Sequence, residues 1–135
     1  MEGVVKGYEA DGSARVEMEL TDLFNRYILY GTCPLRFQPV HERKRYKIGE
    51  RYRWYVTSVV PIVNGRQARV RVRLSRTSTE LPALLLRKET GMDRIICLKR
   101  IPGGSGEIVT KTKTPKAVIN KIGKELGEIY NVRVI

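Results

Sequence analysis

The sequence predicts a mainly β chain that ends in a smaller α+β appendage. Short strand-like runs separated by turn-forming pairs fill the first 76 residues, and beyond Leu74 the apolar period lengthens from two residues to that of a helix. On this reading residues 1–76 form a five-stranded barrel and residues 77–135 a compact α-β-β-α-β module.

The strands follow in order. Val4–Tyr8, Arg15–Leu20 and Arg26–Tyr30 are β-branched, aromatic or alternating runs, separated by the turn formers Asp11-Gly12 and Thr21-Asp22. An irregular stretch, Thr32–Glu50, carries Pro34, Pro39 and a dense Arg/Lys cluster. Arg51–Val59 and Arg69–Leu74 come next, joined through Pro61 and a turn at Asn64-Gly65. Five strands with a long third-to-fourth connection describe the oligonucleotide-binding (OB) barrel pattern.

Arg69-Val70-Arg71-Val72-Arg73-Leu74 alternates without a break, which sends Val70, Val72 and Leu74 inward and three arginines outward. Same-face side chains on a strand stand about 7 Å apart, close to the phosphate repeat of an extended nucleic-acid strand. The competing assignment is a solvated face, but such faces mix Lys, Thr and Glu. Three like charges in a row repel one another unless an anion binds.

Past Leu74, Thr77 and Glu80 have capping-box spacing, and Leu81–Lys88 reads as a helix ending near Gly91. Arg94–Arg100 and Glu107–Lys113 read as a hairpin turned by Pro102-Gly103-Gly104-Ser105-Gly106. That glycine cluster lacks the Lys-Ser/Thr and the helix of a phosphate loop, so it is assigned as a turn. Pro115–Tyr130 carries Val118, Ile119, Ile122, Leu126 and Ile129 on one stripe of an amphipathic helix, and Val132–Ile135 is a closing strand.

Of the 135 residues, 41% are hydrophobic, which suits a folded core, and the net charge is +12. The charge is uneven. Residues 1–35 carry a net −3. Residues 36–76 hold twelve Lys/Arg against Glu42 and Glu50, a net +10, and residues 77–135 carry +5. Because Tyr46, Tyr52, Trp54 and Tyr55 punctuate the basic block, it reads as folded rather than as a tail, and a polyanionic partner is expected. Trp54 and Tyr55 are neighbours on one strand and so face opposite sides.

Cys33 and Cys97 are far apart and belong to no Cys-x-x-Cys, the N-terminus is acidic, and no apolar run reaches membrane-spanning length. The expectation is a reduced, cytoplasmic protein with two unpaired thiols and no membrane partner. With His41 as the single histidine, no standard zinc site can be assembled, so no metal or other cofactor is expected. Ser75 and Ser78 have no neighbouring histidine and no paired carboxylates share an element. An enzyme acting on a small-molecule substrate is therefore the weakest of three function classes.

The strongest class is a non-catalytic binder of single-stranded RNA, with aromatic platforms beside a basic groove. Its expected contacts are Arg69, Arg71, Arg73 and Arg76, then Arg51 and Arg53, then the loop residues His41, Arg43, Lys44 and Arg45. Tyr8, Tyr27, Tyr30 and Tyr52 are candidate stacking residues, each with barrel core as its alternative place. Lys111, Lys113, Lys116, Lys121 and Lys124 are expected to add only a diffuse electrostatic contribution. The third class is a basic adaptor for an acidic protein, such as a neighbour on RNA polymerase or the ribosome.

The join Val72-Arg73-Leu74-Ser75-Arg76-Thr77-Ser78, leading straight into a Leu-rich helix, resembles the transcription elongation factor NusA. In that family an S-one RNA-binding barrel passes through a Leu-Ser-Arg-Thr run into a KH domain. Gly3-Val4-Val5-Lys6-Gly7 is similar to the opening S-one strand, and Tyr46–Arg53 to the Tyr-x-x-Gly-Asp/Glu-Arg-x-Arg segment entering strand four. Lys124-Glu125-Leu126-Gly127-Glu128 before Val132-Arg133-Val134-Ile135 is similar to the end of its first KH domain. The resemblance implies an S-one barrel over 1–76, a reduced KH-like module over 77–135, and a role in transcription elongation, termination or antitermination. The sequence departs from the family in lacking the Gly-x-x-Gly loop that clamps nucleic-acid backbone, since Gly123 and Gly127 are four apart. The 135 residues also contain neither the family's polymerase-docking domain nor its second KH domain.

Overall fold

In strand β2 (Ala14–Thr21) the side chains of Ala14, Val16 and Met18 are buried while Arg15 and Glu19 stay exposed, the alternation that a half-buried strand requires. A computed structural model describes residues 1–21, 24–65 and 67–135. They fall into two units, Met1–Arg76 and Thr77–Ile135, with strands as the dominant element. No helix among the described residues is long and apolar enough to cross a membrane.

The first unit contains β1 (Glu2–Tyr8), β2, β3 (Arg26–Cys33), β4 (Arg51–Arg53), β5 (Tyr55–Asn64) and β6 (Gln67–Ser75). They hydrogen-bond in the order β4-β1-β2-β3-β6-β5, antiparallel except for β3 with β6. Val5, Ala14, Val16, Met18, Cys33, Tyr46, Trp54, Val72 and Leu74 form the core. Gly31 permits the β3–β6 contact, because a Cβ there would lie 2.8 Å from Met18 Cε and 3.0 Å from Leu74 Cδ1. The turn expected at Thr21-Asp22 includes Asp22, which lies outside the described residues.

Two expectations need correction. The fourth strand is not continuous: it breaks at Trp54, giving six strands in an open order rather than five in a closed ring. Trp54 is fully buried, its indole N–H donates to the Gly3 carbonyl at 3.3 Å, and its backbone N–H donates to the Met1 carbonyl at 2.7 Å. The residue is held by the start of β1 and leaves the ladder there. The second correction is Val70, which is 48% exposed whereas Val72 and Leu74 are buried. β6 meets β3 only at Gly31↔Val72 and Thr32↔Arg73, so its outer half is paired with β5 alone, as far as Asn64↔Gln67. Pro61 is tolerated in β5 because that strand is an edge.

The connection between β3 and β4 contains two 3-10 turns, Leu35–Phe37 and Val40–Glu42. Buried Gln38 pins it, donating to the Gly12 and Cys33 carbonyls at 3.0 Å each and accepting the Lys44 N–H at 3.1 Å.

The second unit runs α1 (Glu80–Thr90), β7 (Ile95–Ile101), β8 (Ser105–Thr110), α2 (Lys116–Leu126) and β9 (Ile129–Val134). Its sheet order is β7-β8-β9, with β8 and β9 parallel. Leu81, Leu85, Leu86, Ile122 and Leu126 of the helices are buried, as are Ile95, Cys97, Ile108 and Tyr130 of the strands. The expected Thr77–Glu80 capping box is not made; Ser78 Oγ accepts the Glu80 N–H at 3.2 Å. Gly91 ends α1 at φ 70°. The stripe read as continuing to Ile129 stops earlier: Gly127, at φ 69°, ends α2, and Ile129 is an exposed strand residue.

Gly123 lies where α2 meets the turn into β9, and its carbonyl accepts the Glu128 N–H at 2.8 Å. A Cβ there would come within 2.5 Å of the Glu128 carbonyl oxygen. Gly123→Ala should therefore destabilise this unit by about 1–3 kcal/mol. A urea titration followed by circular dichroism checks it, and an unshifted midpoint would show that the turn yields freely.

Candidate nucleic-acid interface

The β3–β6 register sets Arg71 and Arg73 beside side chains of β3 that carry no charge. Thr32 stands opposite Arg73, and one step along the same parallel register sets Tyr30 level with Arg71. On the other flank Ser58 and Val60 of β5 oppose Arg73 and Arg71, while Arg15 of β2 opposes Thr32. Tyr30 is 66% exposed, Arg71 is exposed and Arg73 half-buried. A groove of about 220 Å³ is lined by Asp11, Ser13, Thr32, Arg36, Arg71 and Arg73. The Arg36 guanidinium lies 4.8 Å from the Phe37 ring centroid.

The acids on this sheet face are already taken. Glu17 pairs with Lys6 at 3.5 Å, Glu19 with Arg26 at 2.7 Å and Glu9 with Arg15 at 3.6 Å. Among the described residues neither Arg71 nor Arg73 makes a side-chain hydrogen bond or ion pair, and the strand register explains why, since their cross-strand neighbours are Thr, Ser and Val. Asp11 is the one carboxylate at the groove. The Ser13 N–H donates to it at 3.0 Å and holds its carboxyl below the usual range, so it remains charged. The face thus offers two guanidinium forks and an open tyrosine ring, groups able to engage phosphate and an unstacked base.

Several expected contacts lie elsewhere. Arg76 is the clearest correction: its side chain is 2% exposed, with Nε 2.7 Å from Glu42 Oε1 and Nη2 3.1 Å from Oε2. Nη1 donates to the Arg53 carbonyl at 2.8 Å, and the guanidinium lies 5.7–5.9 Å from the Tyr46, Tyr52 and Trp54 ring centroids. Tyr8 donates to the Tyr46 carbonyl at 2.9 Å and packs on the core, and Tyr52 accepts the Lys47 N–H at 2.9 Å. Both residues are only partly exposed, because their rings pack against the core.

Arg51 is exposed but paired with Glu2 at 3.4 Å, and Arg53 is half-buried. His41 sits 3.4 Å from Glu42, and Arg43 Nε donates to the Gln38 carbonyl at 3.4 Å. Lys44 has φ 58°, and Arg45 is exposed. Tyr27 is half-exposed near the far end of β3, opposite Leu20. Arg69 is exposed on β6 opposite Ile62. Lys111, Lys113, Lys116 and Lys124 are exposed in the second unit, and Lys121 pairs with Glu89 at 2.9 Å. Sequence reasoning missed Thr32 and Arg36 on the groove, because only the register across strands reveals their neighbours.

Comparison with protein-family models and with curated proteins returns no match for this chain.

The buried groups make two checks available. Breaking a buried ion pair from one side typically costs 3–5 kcal/mol, so Arg76→Ala should lower stability by about that amount. Arg71→Ala and Arg73→Ala should each change it by less than about 0.5 kcal/mol. Thermal melts of the three variants decide the assignment, and an Arg76→Ala melt equal to wild type would remove Arg76 from the core.

Burial pushes the Cys33 thiol up to about 12, and it raises the phenols of Tyr46, Tyr130 and Tyr8 and the thiol of Cys97 in the same direction. Raised acids stabilise the fold fully below their ordinary pKa values, about 8.5 for thiols and 10 for phenols, and that contribution is lost as pH climbs toward the folded values. The melting temperature should fall progressively above about pH 9, and native Cys33 should resist iodoacetamide at about pH 8.5. Rapid alkylation of Cys33 at native pH would contradict its burial.

Proposed function

We propose that the chain is a non-catalytic single-stranded RNA-binding protein whose first unit is an OB-like sheet of the S-one kind, open between β4 and β5, acting in transcription in the manner of NusA. The observation that carries the reading is the open pair Arg71 and Arg73 beside exposed Tyr30, on a sheet face whose acids pair with other cations. The strand order supports the OB-like reading: the two edge strands, β4 and β5, are consecutive in the chain with Trp54 alone between them. A net +10 over residues 36–76 supports a polyanionic partner. The α-β-β-α-β order of the second unit supports a reduced KH-like module.

Exposed Val59, Val63 and Val70 on the β5–β6 ribbon favour the second reading, an adaptor for an acidic protein such as a polymerase or ribosomal component.

Titration of the full chain with a short single-stranded RNA separates the two. Micromolar binding in about 50 mM salt is expected. The Arg71→Ala/Arg73→Ala double variant should lose about tenfold in affinity, and its log–log salt slope should be shallower by about 1.4, from roughly 0.7 per lost phosphate contact. No measurable RNA binding by wild type would leave the adaptor reading. Equal affinity in wild type and variant would move the site off β6.

A further inference from the structure

The start of α2 reads Lys113-Thr114-Pro115-Lys116. A Thr-Pro pair ordinarily supplies a helix cap followed by the first helical residue. Here the helix begins one residue later. Pro115 is the cap, with ψ 132°, and no side chain caps the end. Its carbonyl accepts the N–H groups of both Val118 and Ile119 at 3.2 Å, which leaves those of Lys116 and Ala117 without an intrahelical partner. No acidic residue stands in the first turn, so nothing on the helix itself answers the partial positive charge there.

A second, independent feature lies at the same place. Thr114 is 4% exposed, and its Oγ1 has no hydrogen-bond partner among the described residues. A buried hydroxyl left unpaired is costly, and nearly all such groups in folded proteins are paired with another protein group or with ordered water. Thr114 lines a cavity of about 550 Å³ together with Lys113, Lys116, Ile119, Asn120 and Tyr130. Both lysines are exposed and neither is in an ion pair among the described residues.

We infer that the start of α2 is a phosphate-binding site. Lys113 and Lys116 supply charge, the Lys116 and Ala117 N–H groups and the Thr114 hydroxyl supply donors, and Ile119 and Tyr130 offer an apolar wall for whatever the phosphate is attached to. This replaces the expectation that these lysines act only diffusely. The phosphate belongs either to a nucleic-acid backbone or to a free phosphate compound, and the chemistry at the site is the same. The site shares no residue with the Arg71/Arg73 face and stands if RNA binding there fails.

The test is a titration of the ¹⁵N-labelled full chain with inorganic phosphate, then with a short single-stranded RNA. Saturable shifts of the Lys116 and Ala117 amides are expected at about millimolar phosphate. Lys113→Gln/Lys116→Gln should weaken phosphate binding about tenfold and Thr114→Val about fivefold. The Thr114→Val melting temperature should not fall, because the hydroxyl it removes has no partner. RNA that displaces phosphate, and binds the lysine variant more weakly, assigns the site to nucleic-acid backbone. RNA that leaves these two amides untouched while phosphate saturates them assigns it to a free phosphate compound. Absence of saturable shifts up to about 50 mM phosphate, or unchanged phosphate affinity in both variants, overturns the site.

Discussion

The first unit depends on one guanidinium, that of Arg76. Removing a charge from water costs several kcal/mol, and the fold recovers this through two contacts to Glu42, one to the Arg53 carbonyl and the faces of three aromatic rings. Tyr46 donates to the same carboxylate at 2.8 Å, so the carboxylate is engaged from two sides. Glu42 lies 34 residues before Arg76, in a connection rich in Pro, Arg and Lys that would otherwise have little reason to adopt one shape. The pair therefore sets where the connection runs. It also holds the segment around Trp54, where the fourth strand breaks.

The second unit uses the same chemistry. Arg100 forks onto Glu128 at 2.8–3.0 Å, Tyr130 donates to that carboxylate at 2.7 Å, and the Gly103 N–H adds another donor at 2.8 Å. Arg100 also reaches the Ser78 carbonyl at 2.7 Å, tying β7 to the turn before α1. Gly103 belongs to the glycine-rich turn between β7 and β8, so one role of that turn is to deliver a backbone donor to a buried acid. The bare Gly123 lets the chain reverse closely enough to place Glu128 there.

These buried pairs shape the surface. Arg76 and Arg100 are withdrawn from solvent, Lys6, Arg26 and Arg51 are matched by acids on neighbouring strands, and Arg15 by Glu9 just past β1. The net +12 is thus not spread evenly over the accessible side chains. Arg71 and Arg73 stand on a strand whose neighbours contribute Thr, Ser and Val, and Lys113 and Lys116 flank a helix start that carries no acid. At these two places the charge stays uncompensated because strand register or helix start supplies no acid.

Period and punctuation in the sequence alone determined the mainly β character, the helix–strand–strand–helix–strand order after residue 76 and the outward face of Arg71 and Arg73, because these follow from local geometry. Alternation could not foresee that Val70 would be exposed, since burial depends on a third strand, and β3 reaches β6 only at Val72 and Arg73. Nor could it separate Arg76 from the arginines before it: all look alike as sequence, and only Glu42, brought in from far upstream, makes one of them core. Thr114 carries the same lesson at the start of α2. Its spacing suits a cap, and only the three-dimensional course of the chain leaves its hydroxyl buried and unpartnered. Which charges are spent inside and which remain for a ligand is decided by contacts distant in sequence, which local pattern does not encode.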